Sequence, residues 1–406
     1  MRRLLLAALA ILSVAAAGPA WAQISDDVLK IGVLTDMSGP SSAADGPGSV
    51  VAAQMAVADF GGTVLGKPIE VIAADHQIKP DIAAGIARQW YDRDHVDLIV
   101  DVPVSAVGLA VQTVAGERKR LFIAHSTGTA DFHGKFCNPY ALQWVFDTRA
   151  LAVGTAQEVT KRGGDTWFFL TADYAFGHAL ERDTSAVVEK NGGKVVGQVN
   201  VPLNTPDFSS FLLQAQASKA KIIGLANAGG DTVNSIKQGA EFGITAGGQH
   251  FAGLLVFIND IEALGLKTAQ GLVLTETFYW DMTDANRAFT KRWQVAAARP
   301  GKFPSMVPAG VYGSVLHYLK AVAALKSAAD GKAVVAKMKE MPTDDPLFGK
   351  GTIRADGRKL HNAYLFEVKK PEESKYPGDD YKLRATIPAD EAFRPLKDGN
   401  CPLVSG

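Results

Sequence analysis

The sequence predicts an α/β protein built as two doubly wound lobes, and three features carry that prediction. Short apolar, β-branched runs alternate with helical patterns from about residue 28 to residue 280. The alternation restarts near Asp147-Thr148-Arg149, after a first series of strand–helix units. The predicted strands end on clusters of Ser, Thr, Gly, Asp and Asn. Alternation of this kind builds a parallel sheet with helices on both faces, and such sheets bind ligands outside the carboxyl ends of their strands.

Taken in order, VLKIGVLTDMSG reads as a buried strand running into a loop, and GSVVAAQMAVADF places Val51, Met55 and Ala58 at helical spacing. KPIEVIAADHQ is a strand, DIAAGIARQWYDRD a helix, VDLIVDVPVS a strand, VGLAVQTVAGERK a helix and RLFIAHST a strand. The second series opens with LAVGTAQEVTKRGG as a helix, DTWFFLTADY as a strand and HALERDTSAVVEKNGG as a helix stopped by Gly192-Gly193. KVVGQVNVPLN, DFSSFLLQAQASKA, KIIGLANAGG and DTVNSIKQGAEFGI continue it, followed by the strands HFAGLLVF and QGLVLTETFYW. From Gly349 the pattern changes to hairpin character, with Asp356-Gly357 as the turn.

Composition narrows the function. The chain has 406 residues, 47% of them hydrophobic, with 42 basic and 42 acidic side chains. That is enough for two domains with real cores. A net charge of zero argues against a nucleic-acid partner, which asks for a basic surface. Arg2 and Arg3, an apolar stretch from Leu4 to Ala17 and Ala20-Trp21-Ala22 form a secretory signal peptide over residues 1–22. The mature chain is therefore expected to start near Gln23, outside the cytoplasm, with no Cys after the cut site for lipid attachment. Only Cys137 and Cys401 are present. In an exported chain a lone pair is expected to be joined, here tying the tail to a loop near Pro139; two separate buried thiols are the alternative. Two cysteines cannot build a zinc site, and no cofactor or metal is expected.

Catalytic signatures are missing from the sequence: no phosphate loop, no G-x-G-x-x-G after the first strand, no G-x-S-x-G and no H-E-x-x-H. His125 stands beside Ser126, but neighbours on a strand face opposite sides and do not pair as base and nucleophile. Ser38, Ser105 and Ser126 each read singly as helix caps. Three of them at the carboxyl ends of different strands read as ligand contacts. Tyr174 and Phe176, following a buried strand, read either as edge packing or as the wall of a pocket.

The segments IGVLTDMSGPSSAADGPGSVVAAQMAVADFGG, GKPIEVIAADHQIKPDIAAGIARQWYDRDHVDLIVD and GGDTWFFLTADYAFGHALERDT, behind an export signal, resemble the periplasmic branched-chain amino acid (leucine/isoleucine/valine-type) binding proteins. The resemblance covers about residues 27–390. It implies the type I periplasmic-binding fold: two Rossmann-like lobes, a hinge of three crossovers, and closure on a ligand delivered to an ABC-transporter permease. The lobes would comprise residues 27–147 with 277–358, and 148–276 with 359–390, followed by a tail over 391–406. It further implies that Ser105 and the Ser126-Thr127-Gly128 segment hold a ligand carboxylate, and that Tyr174 or Phe176 covers it. Amino-acid receptors of this type hold the ammonium group with an acid near the end of a second-lobe strand. Here that place carries Gly253, Leu254 and Leu255, with Asp231 as the substitute. Burying an ammonium without a carboxylate is costly, so the expected ligand is an amine-free aromatic or aliphatic acid against Tyr174, Phe176, Phe257 and Trp280. The alternatives are an amino acid, short amides or urea, a sensor module, and an exported hydrolase using Ser126 or Asp173. A monomer is expected.

Overall fold

In the computed structural model, which describes residues 27–404, the run Leu29–Thr35 forms β1, buried along almost all of its length. The signal peptide expected over residues 1–22 lies outside the described residues. After β1 come α1 (Gly46–Phe60), β2 (Thr63–Val64), β3 (Lys67–Asp75), α2 (Pro80–Asp92), β4 (Leu98–Asp101), α3 (Ser105–Arg118), β5 (Leu121–Ala124) and β6 (Ala141–Gln143). These strands form one sheet in the order β2-β3-β1-β4-β5-β6, parallel except at the short β2–β3 hairpin. Parallel neighbours need a crossover, and the helices between them cover the two faces of the sheet.

The second series starts at Asp147, whose side chain accepts the Ala150 N–H at 2.9 Å and caps α4 (Thr148–Lys161). It continues with β7 (Thr166–Ala172), α5 (Ala175–Lys190), β8 (Lys194–Val201), α6 (Ser209–Ala217), β9 (Ile222–Ala226), α7 (Gly230–Glu241), β10 (His250–Gly253), α8 (Ile258–Leu264), α9 (Leu266–Ala269) and β11 (Val273–Glu276). Its parallel sheet runs β10-β9-β7-β8. Trp167 and Phe169 stack on one of its faces at 5.8 Å while Phe168 and Leu170 are buried on the other, which accounts for the apolar run in β7.

The chain then returns to the first lobe as α10 (Asp284–Ala296), α11 (Met306–Leu325) and α12 (Gly331–Glu340), with α11 lying along α1. The alternation of strands and helices does not announce these three. Met306–Leu325 is apolar nearly all round, because it is buried on most of its circumference. A small antiparallel sheet follows: β12 (Thr343–Asp345), β13 (Gly349–Ile353) and β14 (Lys359–Leu360). Asp356-Gly357 makes the expected turn, with Gly357 at φ +89°, but it joins β13 to the short β14. The longer run β15 (Ala363–Val368) instead pairs with β11 and with β16 (Tyr381–Ile387) in the second lobe, ahead of α13 (Ala389–Ala392). The chain therefore crosses between lobes after β6, after β11 and after β14, before the tail returns to the first lobe.

Two fully buried cations hold the crossovers together. Arg358 donates to the carbonyl oxygens of Val145 (2.8 Å) and Phe146 (3.1 Å) and lies 3.6 Å from the Asp147 carboxylate. Lys359 pairs with Asp345 at 2.8 Å and sits over the rings of Trp144 and Phe348. A buried cation is tolerated only when paired and hydrogen-bonded, and both conditions are met across the first and third crossovers. The tail is tied down by a disulfide between Cys137 and Cys401, Cα atoms 5.6 Å apart, 264 residues apart in sequence. Closing so long a loop in the unfolded chain stabilises by about 3–5 kcal/mol. Cys401→Ser is therefore expected to lower the unfolding free energy by that amount in urea melts, with no free thiol titrating in the native wild-type protein.

Candidate functional site

Every parallel strand of both sheets except β6 sends a residue from its carboxyl end into one cavity between the lobes. From the first lobe come Ser41 and Asp45 after β1, Ile78 after β3, Val104 and Ser105 after β4, and Ser126 after β5. From the second come Tyr174 and Phe176 after β7, Leu203 and Asn204 after β8, Gly229 and Asp231 after β9, and Leu255, Phe257 and Asp260 after β10. The cavity volume is about 60 Å³, several times the ~10–15 Å³ that one water needs. It suits a small organic molecule and not a peptide. Among the described residues its lining holds no lysine, arginine or histidine.

The β4–α3 loop is the most strained part of the wall. Asp101, Val102 and Val104 have φ of +80°, +59° and +72°, the left-handed region that β-branched residues avoid. Such conformations cost about 1–3 kcal/mol each and persist where the surroundings impose them. Here they deliver Ser105, fully buried, as the first residue of α3. Its Oγ accepts the Thr129 N–H at 3.0 Å, which leaves its own proton to donate into the cavity. Ser126 stands beside the Asp45 carboxyl.

The opposite wall is aromatic. Tyr174 and Phe176 lie 6.0 Å apart, centre to centre, and Phe257 meets Phe146 edge-on at 6.1 Å. Burial, together with the nearby Asp231, raises the Tyr174 hydroxyl above its ordinary pKa, so it stays a neutral donor. Asp231, in the first turn of α7, accepts the Asn204 N–H at 3.1 Å, and burial pushes its carboxyl up to about 6. Asp260 accepts the Phe257 N–H at 2.9 Å at the start of α8 and is raised by burial to about 6.

The structure thus brings together Ser105, Ser126, Tyr174, Phe176, Asp231 and Phe257. The other residues expected at the site stand elsewhere. Ser38 is exposed and its hydroxyl donates to Asp75 at 3.3 Å; Ser41, three residues on, takes the place at the cavity. Thr127 turns away to donate to the Val102 carbonyl at 2.7 Å and fills the space above Gly108. Leu254 points into the core, and Leu255 reaches the cavity instead. Trp280 stacks on Phe303 at 4.5 Å and donates to the Gly378 carbonyl, outside the cavity. Gly128 backs the wall: a Cβ there would lie 2.7 Å from Phe176 and 2.9 Å from Phe146. Ser41, Asp45, Asn204 and Asp260 are the polar residues that sequence reasoning missed. Asp260 carried a signal, an acid three residues into a helix.

A family model for periplasmic binding proteins matches residues 28–375. The chain belongs to the periplasmic binding protein family. A Leu/Ile/Val-binding protein homologue of Brucella melitensis is 27% identical over 387 residues, covering 93% of this chain and 95% of that protein. A periplasmic binding protein of Burkholderia mallei superposes with a TM-score of 0.90 at 53% identity, over 93% of this chain and all of that one. A branched chain amino acid ABC transporter periplasmic ligand-binding protein of Burkholderia xenovorans gives 0.82 at 38% identity, over 92% of this chain and 99% of the other. This periplasmic binding protein has the type I fold of those relatives, and no helix among its described residues is long and apolar enough to cross a membrane.

The close fit at Gly128 makes a test of the wall. Gly128→Ala forces Phe176 toward the cavity or strains the core, and overpacking of this kind costs about 1–3 kcal/mol. Ligand affinity is expected to fall roughly fivefold to a hundredfold, with the far-UV circular dichroism spectrum unchanged.

Proposed function

We propose that this protein is the solute receptor of an ABC importer, and that its ligand is a small amine-free carboxylic acid, aromatic or aliphatic. The observation that carries this reading is the division of the cavity. Ser105, at the start of α3, and Ser126 offer hydroxyls on the first-lobe side, and Tyr174, Phe176, Leu255 and Phe257 form an apolar wall on the other. Hydroxyls and the N-terminal end of a helix favour a carboxylate; an aromatic wall favours a ring or an alkyl chain. Gly253, Leu254 and Leu255 put no acid at the end of β10 itself, and Asp260, farther along, is engaged by the Phe257 N–H. More distant receptors of the same fold, from Rhodopseudomonas palustris, hold benzoate or 3,4-dihydroxy benzoic acid. The lobes divide as residues 27–147 with 277–358 and 148–276 with 359–390, and their closure presents the filled receptor to a membrane permease. Export by a cleaved signal peptide places this cycle in the periplasm, and the ligand is released unchanged.

One observation favours a second reading. Asp231 lines the cavity from the second lobe and is partnered through one oxygen by Asn204. An α-amino acid would place its ammonium there. A thermal-shift screen separates the two: benzoates, phenylpyruvate and short aliphatic acids should raise the melting temperature, and leucine, valine and phenylalanine should not. A shift with the amino acids alone overturns the amine-free assignment. Within the preferred reading, Ser105→Ala removes one hydrogen bond to the carboxylate and should weaken binding by about 1–3 kcal/mol. Calorimetric titration that finds unchanged affinity would remove Ser105 from the site.

A further inference from the structure

Behind Ser126 the cavity floor is closed and acidic. Asp45 is 2% exposed and lines the cavity, and Asp101, fully buried at the end of β4, lies against it. One Asp45 oxygen and both Asp101 oxygens receive no well-formed hydrogen bond. The hydroxyls of Thr35 and Ser49 stand beside Asp101. Thr35 Oγ1 already accepts the Gly46 N–H at 3.1 Å, so its proton is free to turn to that carboxyl.

The surrounding charges do not offset this. Asp36 is a third carboxyl nearby, with its oxygens taken by the N–H groups of Gly39 (2.7 Å) and Ser41 (2.9 Å). His76, close to Asp36, accepts the Ile78 N–H on Nδ1 at 3.0 Å, and burial lowers it to about 4, so it stays neutral. His125 accepts the Asp101 N–H on Nδ1 at 3.0 Å and faces Ser314 with Nε2; burial lowers it to about 3. Across the cavity stand Asp231 and Asp260.

Two adjacent carboxyls in a dry site cannot both ionise. We propose that Asp45 and Asp101 hold one proton between them, and that this proton admits an anionic ligand to the cavity. The inference rests on the amine-free acid reading above. The proton belongs on Asp45, because Asp101 has the Thr35 and Ser49 hydroxyls to support a negative charge. Burial and the neighbouring Asp101 raise the Asp45 carboxyl well above the ordinary carboxylate range, in keeping with this placement. A neutral Asp45 leaves Ser126 beside an uncharged group, and a ligand carboxylate can approach. Loss of the proton puts a second negative charge on the floor and repels it.

The sign follows from linkage. The anion binds the protonated pair, so a bound anion raises the pair's proton affinity. Affinity is level below the pKa of the free pair and falls by up to about tenfold per pH unit above it. An ammonium ligand held by an ionised Asp45 would show the reverse, with affinity rising with pH.

The test is calorimetric titration of the mature chain with benzoate, 4-hydroxybenzoate, phenylpyruvate and leucine over roughly pH 5–9. The acids are expected to bind with affinity falling at high pH. Asp45→Asn, which has no proton to lose, should abolish that slope, and Asp101→Asn should move it to lower pH. Carbon-13 NMR of the ligand-free protein supplies a readout that needs no ligand: beside raised carboxyls such as those of Asp231 and Asp260, a further carboxyl should titrate at least about one unit above the ~3.9 of ordinary aspartate, and that resonance should vanish in Asp45→Asn. A flat profile with acids that bind, a slope that survives in Asp45→Asn, or the absence of the raised carboxyl overturns this inference alone. Binding of leucine with no binding of the acids overturns the amine-free acid reading and this inference together.

Discussion

On the proposed reading, a charged ligand enclosed between two lobes loses its water before it gains anything from the protein, and that desolvation would govern the rest of the design. An ion moved into a low-dielectric site is tolerated only if the site replaces its hydration shell. Among the described residues the cavity offers no basic side chain for the purpose. What would replace the water is the polar equipment that a parallel sheet collects at one edge: hydroxyls and helix N-termini, supplied by the loop after nearly every strand. The strain in Asp101, Val102 and Val104 belongs to the same requirement, since it turns the start of α3 toward the cavity.

The crossovers serve this arrangement from a distance. Arg358 joins the carbonyls of Val145 and Phe146 to the third crossover, and His361 reaches the Trp144 carbonyl at 3.1 Å. Two crossover segments are thereby stitched into one rib. Direct contact between the lobes is carried more by rings, such as Phe257 against Phe146, than by exposed charges. The Arg182–Asp131 pair, 3.2 Å long with Arg182 half exposed, is worth at most about 1 kcal/mol. Gly229 meets Pro40 closely, but through backbone. In the proposed closure, a ligand can apply only the difference between its contacts in the open and closed forms.

The alternation of strand and helix made both sheets legible in the sequence, because burial on both faces leaves uninterrupted apolar runs such as that of β7. The helices between residues 284 and 340 were not legible in this way, since α11 is buried nearly all round and lacks a polar stripe. At the site, Ser105, Ser126, Tyr174 and Phe176 could be read from their place after strands. Ser38 and Trp280 could not be excluded, because a hydroxyl or a ring at a strand end points to the cavity or away according to loop geometry that one sequence does not encode. The same holds for Thr127, whose hydroxyl the loop after β5 turns toward the Val102 carbonyl. Asp45 escaped notice for a different reason: an acid ahead of Gly46-Pro47 reads as a helix cap, and only the fold sets it against Asp101.

A crystal structure of the receptor with the acid that most raises its melting temperature would test the account most directly. The account predicts a closed form with the ligand carboxylate within hydrogen-bonding distance of the Ser105 and Ser126 hydroxyls, and the remainder of the molecule against Tyr174, Phe176 and Phe257. A carboxylate placed away from both serines, or a ligand anchored through an ammonium group on Asp231, would contradict it.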